Sequence, residues 1–207
     1  MSNLITPPTM AEFLAASQGI WLTRRVIHHL DHQDDEAGDS NLVIEPFGVN
    51  DDAVQTICLA LGINSEDAAG GARFWWESNL KEEVRNDDYA AVLIDVPNRE
   101  NPQQGFLLRD VGYVEKQSVI STYSFASDGV LTMTTRYDTN VGIERCWFVS
   151  DNVRMRVSSV QCLDGVSMTT YCTELRCPSN DDILALREQS QDLLKVSTST
   201  SESEGQS

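Results

Sequence analysis

Four charged side chains lie in a segment whose pattern otherwise predicts β-strands. Residues 141–176 divide into three strands joined by two tight turns, and they contain Glu144, Arg154, Arg156 and Glu174. A guanidinium group binds carboxylates through charge-assisted, often paired hydrogen bonds, and a glutamate carboxylate accepts hydrogen bonds from N–H groups. These residues therefore either face water or line a pocket for a charged ligand.

Alternation along the middle strand of this segment separates its polar side chains from its apolar ones. Arg154, Arg156 and Ser158 share one face of the strand, and the valines and methionine between and beside them share the other. By pattern alone, the apolar face lies in the core and both arginines lie in water, because charged side chains are seldom buried. A pocket requires the opposite orientation.

The turn before this strand decides whether Glu144 joins the arginines. A three-residue loop at 150–152 would pair Val149 with Val153. Glu144 would then lie opposite Ser158, on the face that carries the arginines. A two-residue loop would turn Glu144 to the other face, because a one-residue slip inverts a strand.

The following turn decides the orientation of Glu174 in the same way. A two-residue turn formed by Asp164 and Gly165 places Glu174 on the face of Met155. A three-residue loop that also includes Val166 places Glu174 on the arginine face. The sequence leaves both registers open.

Two further pairs of side chains are of types that often form binding sites. His28 and His32 would approach each other on a helix, but the pattern predicts a strand, which separates them by about 13 Å, so we expect no metal site. Trp75 and Trp76 are adjacent on another predicted strand and therefore point to opposite faces. One of the two faces the interior, where core packing and stacking on a ligand are both open.

The composition of the 207-residue chain limits the classes of ligand. Its formal net charge of −17 argues against a nucleic-acid or anionic membrane surface, which requires concentrated lysine and arginine. The five cysteines are odd in number and form no C-x-x-C pair, so we expect free thiols in a reducing compartment. The first residues lack the pattern of a signal peptide, and no segment reaches membrane-spanning length, which together predict a soluble, cytoplasmic protein.

The elements that position these side chains form one predicted domain over residues 9–177. Short strands with turn signals between them make up most of this range, about ten in all, which favours an antiparallel meander closed into a barrel. A barrel of this size holds one small ligand inside. Residues 1–8 are predicted to form a flexible arm, and residues 178–207 a short polar helix followed by a disordered tail.

Two helices accompany the predicted strands. Thr9, with Glu12 as its capping partner, begins a short helix near the start of the domain. Asn50 is expected to cap an amphipathic helix near 50–62. The stretch DHQDDEAGDS, at 31–40, is predicted to be a polar loop between the first two strands.

Six segments, taken together, resemble the S-type phycobiliprotein chromophore lyases of the CpcS/CpeS family and their U-type relatives. In chain order they read SQGIWLTRRVIHHL, GGARFWWES, NPQQGFLLRDVGY, IERCWF, VRMRVSS and YCTELR, and they cover roughly residues 13–177. The resemblance implies an all-β fold with minor helices, a lipocalin-like antiparallel barrel related in shape to fatty-acid-binding proteins. It also implies a phycobiliprotein lyase that binds a linear tetrapyrrole, a bilin, without a covalent bond. The lyase then attaches the bilin through a thioether bond to a cysteine of a phycobiliprotein α or β subunit.

The resemblance also implies a set of site residues. Six residues match pocket positions of the family: Trp76, Glu144, Arg154, Arg156, Ser158 and Glu174. On this assignment the guanidinium groups bind the two propionates of the bilin, and Trp76 offers its ring face to the pyrroles. Glu144 is the catalytic candidate, because its carboxylate accepts the pyrrole N–H groups and assists proton transfer.

The sequence departs from the family pattern at two positions. Ser78 replaces the glycine of a Trp-Glu-Gly triplet, and Glu82 replaces a second tryptophan. These differences bear on the choice between phycocyanobilin and phycoerythrobilin as substrate. We expect no permanently bound cofactor and no metal.

Three other functions fit the same residues. The chain is alternatively a non-catalytic bilin carrier or chaperone, the partner subunit of a heteromeric lyase, or a lipid carrier of the fatty-acid-binding type. A homodimer or a heterodimer with a related lyase subunit is also open, because the apolar face of the middle strand is outward if its arginines are inward. Nucleic acid and membrane are not expected partners.

Overall fold

Ten antiparallel strands form one closed barrel in which each strand pairs with its neighbours in sequence and the last strand pairs with the first. The computed structural model of the chain describes residues 9–30, 34–77, 90–111, 118–162 and 165–177, together with Ala185. The strands are β1 (Gly19–His29), β2 (Glu36–Phe47), β3 (Gly70–Glu77), β4 (Ala90–Pro97), β5 (Gln104–Arg109), β6 (Val119–Phe125), β7 (Leu131–Arg136), β8 (Asn140–Ser150), β9 (Val153–Cys162) and β10 (Gly165–Cys177). This architecture confirms the predicted all-β barrel.

Strand β2 begins earlier than the sequence pattern predicts. The pattern predicts a polar loop up to Ser40, whereas the strand begins at Glu36, which pairs with Ile27 of β1. Cross-strand charge pairs support this extension, since Arg24 and Asp39 lie opposite each other with Nε and Oδ1 3.2 Å apart. Sheet pairing therefore prevails over turn propensity in residues 36–40.

Helix α1 (Met10–Ser17) covers one end of the barrel. As predicted, Thr9 caps it, because the Thr9 hydroxyl oxygen accepts a hydrogen bond from the backbone N–H of Glu12 and its hydroxyl donates to the Glu12 carboxylate. The apolar face of α1 is buried against the strand ends, where the rings of Phe13 and Phe148 lie 5.4 Å apart between centroids. We call this the closed end and the other, where β1 ends and β2 begins, the open end.

Helix α2 (Asp52–Ala60) lies outside the barrel. Its cap is Asp51 rather than the predicted Asn50, and the Asp51 carboxylate accepts a hydrogen bond from the first turn of the helix. The same carboxylate binds both terminal nitrogens of Arg73 on β3, at 2.7 and 3.0 Å, which explains why the charged residue takes the cap position. The apolar stripe of α2 is buried on the outer side of β4 and β5. Between α2 and β3 there is a single 3-10 turn at Ser65–Asp67, and none of the described helices is long and apolar enough to span a membrane.

Several predictions concern residues that lie outside the described part of the chain. They include the flexible arm at 1–8 and, except for Ala185, the helix and tail at 178–207. The two departures from the family pattern, Ser78 and Glu82, lie there as well. The division of the chain into an arm, a barrel and a tail therefore stays a prediction.

Candidate functional site

A β-bulge in β8 determines which of its residues face the interior. Ser150 pairs with Val153 across a two-residue loop, the shorter of the two loops that the sequence left open. The register shifts by one residue at Val149, however, and beyond this shift Glu144 pairs with Ser158, the pairing that was expected only for a three-residue loop. The bulge compensates for the shorter loop and returns Glu144 to the face of the two arginines.

A second bulge, in β10, brings Glu174 to the same face. The hairpin closes between Cys162 and Gly165, and the register shifts by one residue further along β10. Glu174 consequently lies directly opposite Arg154. Neither of the two turns considered from the sequence would pair Glu174 with Arg154. The longer of them, the three-residue loop, nevertheless placed Glu174 on the arginine face, where the structure has it.

The interior face of β8, β9 and β10 carries a chain of four charged side chains. Glu174, whose exposed fraction is 0%, accepts hydrogen bonds from Nε of Arg154 at 2.6 Å and from Nε of Arg156 at 3.2 Å. Nη1 of Arg156 also lies 3.7 Å from Oε2 of Glu144. Two guanidinium groups and two carboxylates sum to zero charge, which lowers the cost of burying them.

Arg154 directs its guanidinium group towards the closed end. It is 3% exposed, donates from Nη1 to the Ser17 hydroxyl at 2.8 Å, and lies 4.9 Å from the ring centroid of Trp21. Arg176 lies 4.2 Å from the same ring and donates to the carbonyl of Ala16 at 2.6 Å. Helix α1 has no basic residue in its own last turn, so these two arginines supply the positive charge that its C-terminal end favours.

The two arginines of β9 determine the ionisation of Glu174. Burial by itself would raise the pKa of this carboxyl, but the charges and hydrogen bonds of Arg154 and Arg156 outweigh burial and hold the pKa below its ordinary value. Glu174 is therefore ionised at neutral pH and neutralises positive charge on both arginines.

A cavity of about 830 Å³, including the part open to solvent, occupies the interior of the barrel. Its walls are mostly apolar with polar groups at a few places, which is typical of pockets for small organic ligands. The predicted site residues that line it are Trp76, Glu144, Arg154 and Arg156. The other two lie next to these but are not among the lining residues: Ser158, opposite Glu144, and Glu174, behind the arginines.

Two buried thiols lie close to the charge cluster. Cys146 lines the cavity, and burial raises its pKa to about 12. Burial also raises the pKa of Cys172, whose Sγ lies 3.7 Å from Nη2 of Arg156. Because the thiolate is the nucleophilic form of cysteine, both side chains are poor nucleophiles at neutral pH.

The other side chains that the sequence singled out lie outside the cavity. Trp75 has the orientation opposite to that of Trp76, as predicted. Nδ1 of His28 lies 2.6 Å from Oδ2 of Asp35, and His32 is outside the described residues. Within the described ranges, no group of three or more His, Cys, Asp or Glu side chains is arranged to hold a metal ion.

Two arginines that were not singled out from the sequence lie on the inward face of their strands, although Arg25 is exposed and only Arg109 lines the cavity. Arg25 of β1 stands in one row with Cys172 and Arg156, because Cys172 pairs with each of them across adjacent strands. Arg109, at the end of β5, lines the opposite wall of the cavity. Both belong to segments that carry the family resemblance, but only the strand register shows that Arg25, and not Arg24, is on the strand face of Arg156.

These features define a class of protein. A closed antiparallel barrel, covered by a helix at one end, encloses a mostly apolar cavity with a compensated cluster of charges on its wall. Such barrels bind one small organic ligand, and this wall suits a ligand that has both carboxylates and N–H groups.

Comparison with known proteins identifies the family within this class. Residues 9–177 match the family model described as "CpeS-like protein". The chain is 65% identical over 190 residues to "Chromophore lyase CpcS/CpeS" of Synechococcus sp. (strain WH8020), an alignment that covers 91% of this chain and 95% of that protein. It is also 34% identical over 167 residues to "Phycocyanobilin lyase subunit CpcS" of Picosynechococcus sp. (strain ATCC 27264 / PCC 7002 / PR-6), which covers 80% of this chain and 84% of that one. The chain belongs to the CpcS/CpeS family of chromophore lyases.

A solved structure agrees with this assignment. The S-type phycobiliprotein lyase CPES from Guillardia theta superimposes with a TM-score of 0.66 at 25% sequence identity. The superposition covers 83% of this chain and 94% of that structure. The lyase-like barrel therefore extends over nearly all of the described residues.

Proposed function

We propose that this chain is a phycobiliprotein lyase, which binds a bilin in the barrel cavity and attaches it through a thioether bond to a cysteine of a phycobiliprotein α or β subunit. Membership of the family and the names of its relatives support this function. The observation that carries it is the compensated charge cluster that presents Arg156 and Glu144 to an apolar cavity. A flat chromophore with two carboxylates and several N–H groups matches this combination.

Arg156 and Arg25 are suited to bind the two propionates of a bilin. They are two strands apart in one row, which corresponds to about 10 Å between their Cα atoms, and the smaller Cys172 lies between them. Arg25 is exposed and does not line the cavity, so it would bind a propionate at the cavity edge. Arg154 is 3% exposed and binds Glu174, so we assign it to holding the cluster in place. This assignment differs from the expectation from sequence, in which Arg154 and Arg156 bind the propionates.

Glu144 is the proposed acid–base residue. Its side chain is 27% exposed and lines the cavity, where the carboxylate is available to pyrrole N–H groups. Trp76 contributes an aromatic face on another wall, and Ser158 offers a hydroxyl beside Glu144 at the edge of the ligand.

The thioether bond forms by addition. The thiolate of the phycobiliprotein cysteine attacks the vinylic carbon on ring A of the bilin, a C–S bond forms, and the displaced π-electron pair takes up one proton at the neighbouring carbon. No group leaves, so the lyase contributes mainly by positioning the bilin, and Glu144 assists the proton transfer. Helix α1 covers the closed end, and we therefore place the approach of the thiol at the open end.

A second candidate function is favoured by one relative. The protein from Picosynechococcus is named a lyase subunit, and this chain is 34% identical to it. On this reading the chain carries bilin as the non-catalytic partner of a heteromeric lyase. Val149 and Tyr171, each 48% exposed on the outer side of β8 and β10, would then belong to a surface for a second subunit.

Titration with phycocyanobilin and phycoerythrobilin tests both functions. A shift in the visible absorbance of either bilin is the expected result, and no shift with either would exclude both bilin functions in favour of another ligand such as a lipid. Co-expression with a bilin pathway and one candidate apo-subunit at a time then separates the two. We expect a covalent, fluorescent subunit with this chain alone, whereas a product that requires a second lyase subunit supports the partner function.

A further inference from the structure

The cavity wall opposite Arg156 carries a second group of polar side chains. Arg109 of β5, Ser121 of β6 and Thr135 of β7 all line the cavity. Ser121 is only 8% exposed, and its hydroxyl oxygen lies 2.6 Å from that of Thr135. Most side chains around them are apolar, namely Leu93, Leu107, Leu131 and Met133, although Tyr137 and Glu144 also line the cavity on the side of Thr135.

The strand register arranges these three side chains as one strip. Ser121 pairs with Leu107, the residue two positions before Arg109 on β5, so Ser121 and Arg109 are diagonal neighbours. Ser121 pairs directly with Thr135 on its other side. We call these three residues the polar strip; it runs from the end of β5 across β6 to β7.

The polar strip contains hydrogen-bond donors that the surrounding structure holds in place. Nε of Arg109 donates to the carbonyl oxygen of Val111 at 2.6 Å, which orients the guanidinium plane at the cavity wall. A pair of hydroxyls has two O–H hydrogens, and the bond between Ser121 and Thr135 uses only one of them. The second hydrogen is therefore left for an acceptor outside the hydroxyl pair, such as an oxygen of a ligand in the cavity.

Arg109, at one end of the polar strip, lies too far from Arg156 to bind the same ligand group, whereas Thr135, at the other end, is on β7, next to the strand that carries Glu144. Four strand spacings separate β5 from β9 in the ring, which is about 19 Å measured along the wall. A ligand that binds at both walls must be elongated and must carry an acceptor at its end. In a linear tetrapyrrole the propionates are on the two central rings, and each terminal ring is a lactam with a carbonyl oxygen.

We propose that Arg109, Ser121 and Thr135 form a subsite for a terminal lactam ring of the bilin, whose carbonyl oxygen accepts hydrogen bonds from the guanidinium group and the hydroxyl pair. The subsite rests on the proposed function and adds a position for one end of the ligand. With the propionates held at Arg156 and Arg25, it keeps the bilin extended across the cavity and determines the orientation of its terminal ring.

The substitution Arg109→Ala tests this subsite with two ligands, phycocyanobilin and its dimethyl ester, in which both propionates are neutral. We expect the Kd measured by absorbance titration to rise about tenfold to a hundredfold for both ligands, because esterification leaves the lactam carbonyl unchanged. Arg156→Ala should weaken binding of the free acid much more than binding of the ester. A defect in Arg109→Ala that disappears with the ester would mean that Arg109 binds a propionate and would overturn the subsite, as would normal binding of both ligands.

A matched control and a second variant keep the result independent of folding. Arg136→Ala removes an exposed arginine on the outer side of β7 and should bind both ligands like the unchanged chain. If Arg109→Ala does not fold, the double variant Ser121→Ala, Thr135→Val removes both hydroxyls at nearly constant volume. Its Kd should rise severalfold for both ligands, and unchanged affinity would overturn the subsite. Failure of the unchanged chain to bind either bilin would overturn the proposed function itself.

Discussion

At the scale of single residues, two arginines that are neighbours on one strand face have different surroundings. The side chain of Arg154 is 3% exposed and is bonded to Glu174 and Ser17, whereas that of Arg156 is 16% exposed and lies between Glu174 and Glu144. A buried ion pair is costly to break, because the remaining partner keeps its charge without compensation. We therefore expect Arg154 to stabilise the fold and Arg156 to contact a ligand in the cavity.

Replacing each arginine by alanine should separate these two tasks. Arg154→Ala leaves Glu174 buried with one cation fewer and should lower the free energy of unfolding by about 3–5 kcal/mol. Arg156→Ala keeps the bond between Arg154 and Glu174 and should raise the Kd for bilin about tenfold or more. Denaturant unfolding and absorbance titration of both variants measure the difference.

The control for this pair is Arg145→Ala, which removes an exposed arginine from the outer side of β8. It should change neither quantity by a measurable amount. Equal losses of stability in the two β9 variants, or a binding defect confined to a stably folded Arg154→Ala, would contradict the assignment.

A buried carboxyl outside the charge cluster gives the chain a pH-dependent stability. Asp95 is 2% exposed, and the Tyr123 hydroxyl donates to it at 2.9 Å. Burial raises the pKa of Asp95 to about 6, although the hydrogen bond from Tyr123 acts in the opposite direction. The folded chain therefore binds this proton more tightly than the unfolded chain does, so its contribution to stability falls as the pH rises towards the folded pKa and stays constant above it.

The substitution Asp95→Asn removes this ionisation and keeps an oxygen for the Tyr123 hydroxyl. The stability of the variant relative to the unchanged chain should increase by about 1 kcal/mol between pH 5 and pH 7.5 and then level off. Urea unfolding at several pH values measures it, with Asp34→Asn, at an exposed position, as the control. A difference that does not change with pH would show that Asp95 titrates normally.

At the scale of elements, two β-bulges determine the polarity of the barrel interior. Each lies close to a hairpin turn, one in β8 and one in β10, and each shifts the register by one residue. Without them, the same turns would direct Glu144 and Glu174 away from the arginines, because a one-residue slip reverses a strand face.

Deletion of Val149 tests the role of the bulge in β8. Without this residue Ser150 still pairs with Val153 and Phe148 with Arg154 in a regular ladder, so Glu144 should stay opposite Ser158. We expect the Kd for bilin to remain within about threefold of the unchanged value, since the cavity face is preserved.

Deletion of Val157 is the matched control for this experiment. Val157 is an outward-facing residue of β9, and no register shift is present at its pairs with Arg145 and Tyr171. Its deletion turns the side chains of the following residues of β9 to the opposite face of the sheet, so bilin binding should be lost. Loss of binding in a well-folded Val149 deletion would show that the bulge itself shapes the cavity.

At the scale of the whole molecule, the chain is strongly acidic, but arginines are concentrated inside the barrel. The chain has a net charge of −17, yet three arginines line the cavity in the barrel: Arg109, Arg154 and Arg156. An acidic surface discourages general binding of polyanions, while local guanidinium groups in a low-dielectric cavity still attract a small anion. Closure of the barrel makes this separation possible, because it encloses one face of every strand.

The sequence by itself determined the class of fold, the capped helix at Thr9 and the resemblance that selected Trp76, Glu144 and the two arginines of β9. The fold class and the cap depend on side-chain spacing and turn chemistry, which are local, whereas the site residues come from the resemblance of six segments spread along the chain. The resemblance also selected Glu174, but only the tertiary structure decided the register that pairs it with Arg154, since a bulge changes the register without changing the alternation. It also decided that Arg109 shares the cavity with Arg156, because closing the ring brings walls together from strands far apart in the sequence.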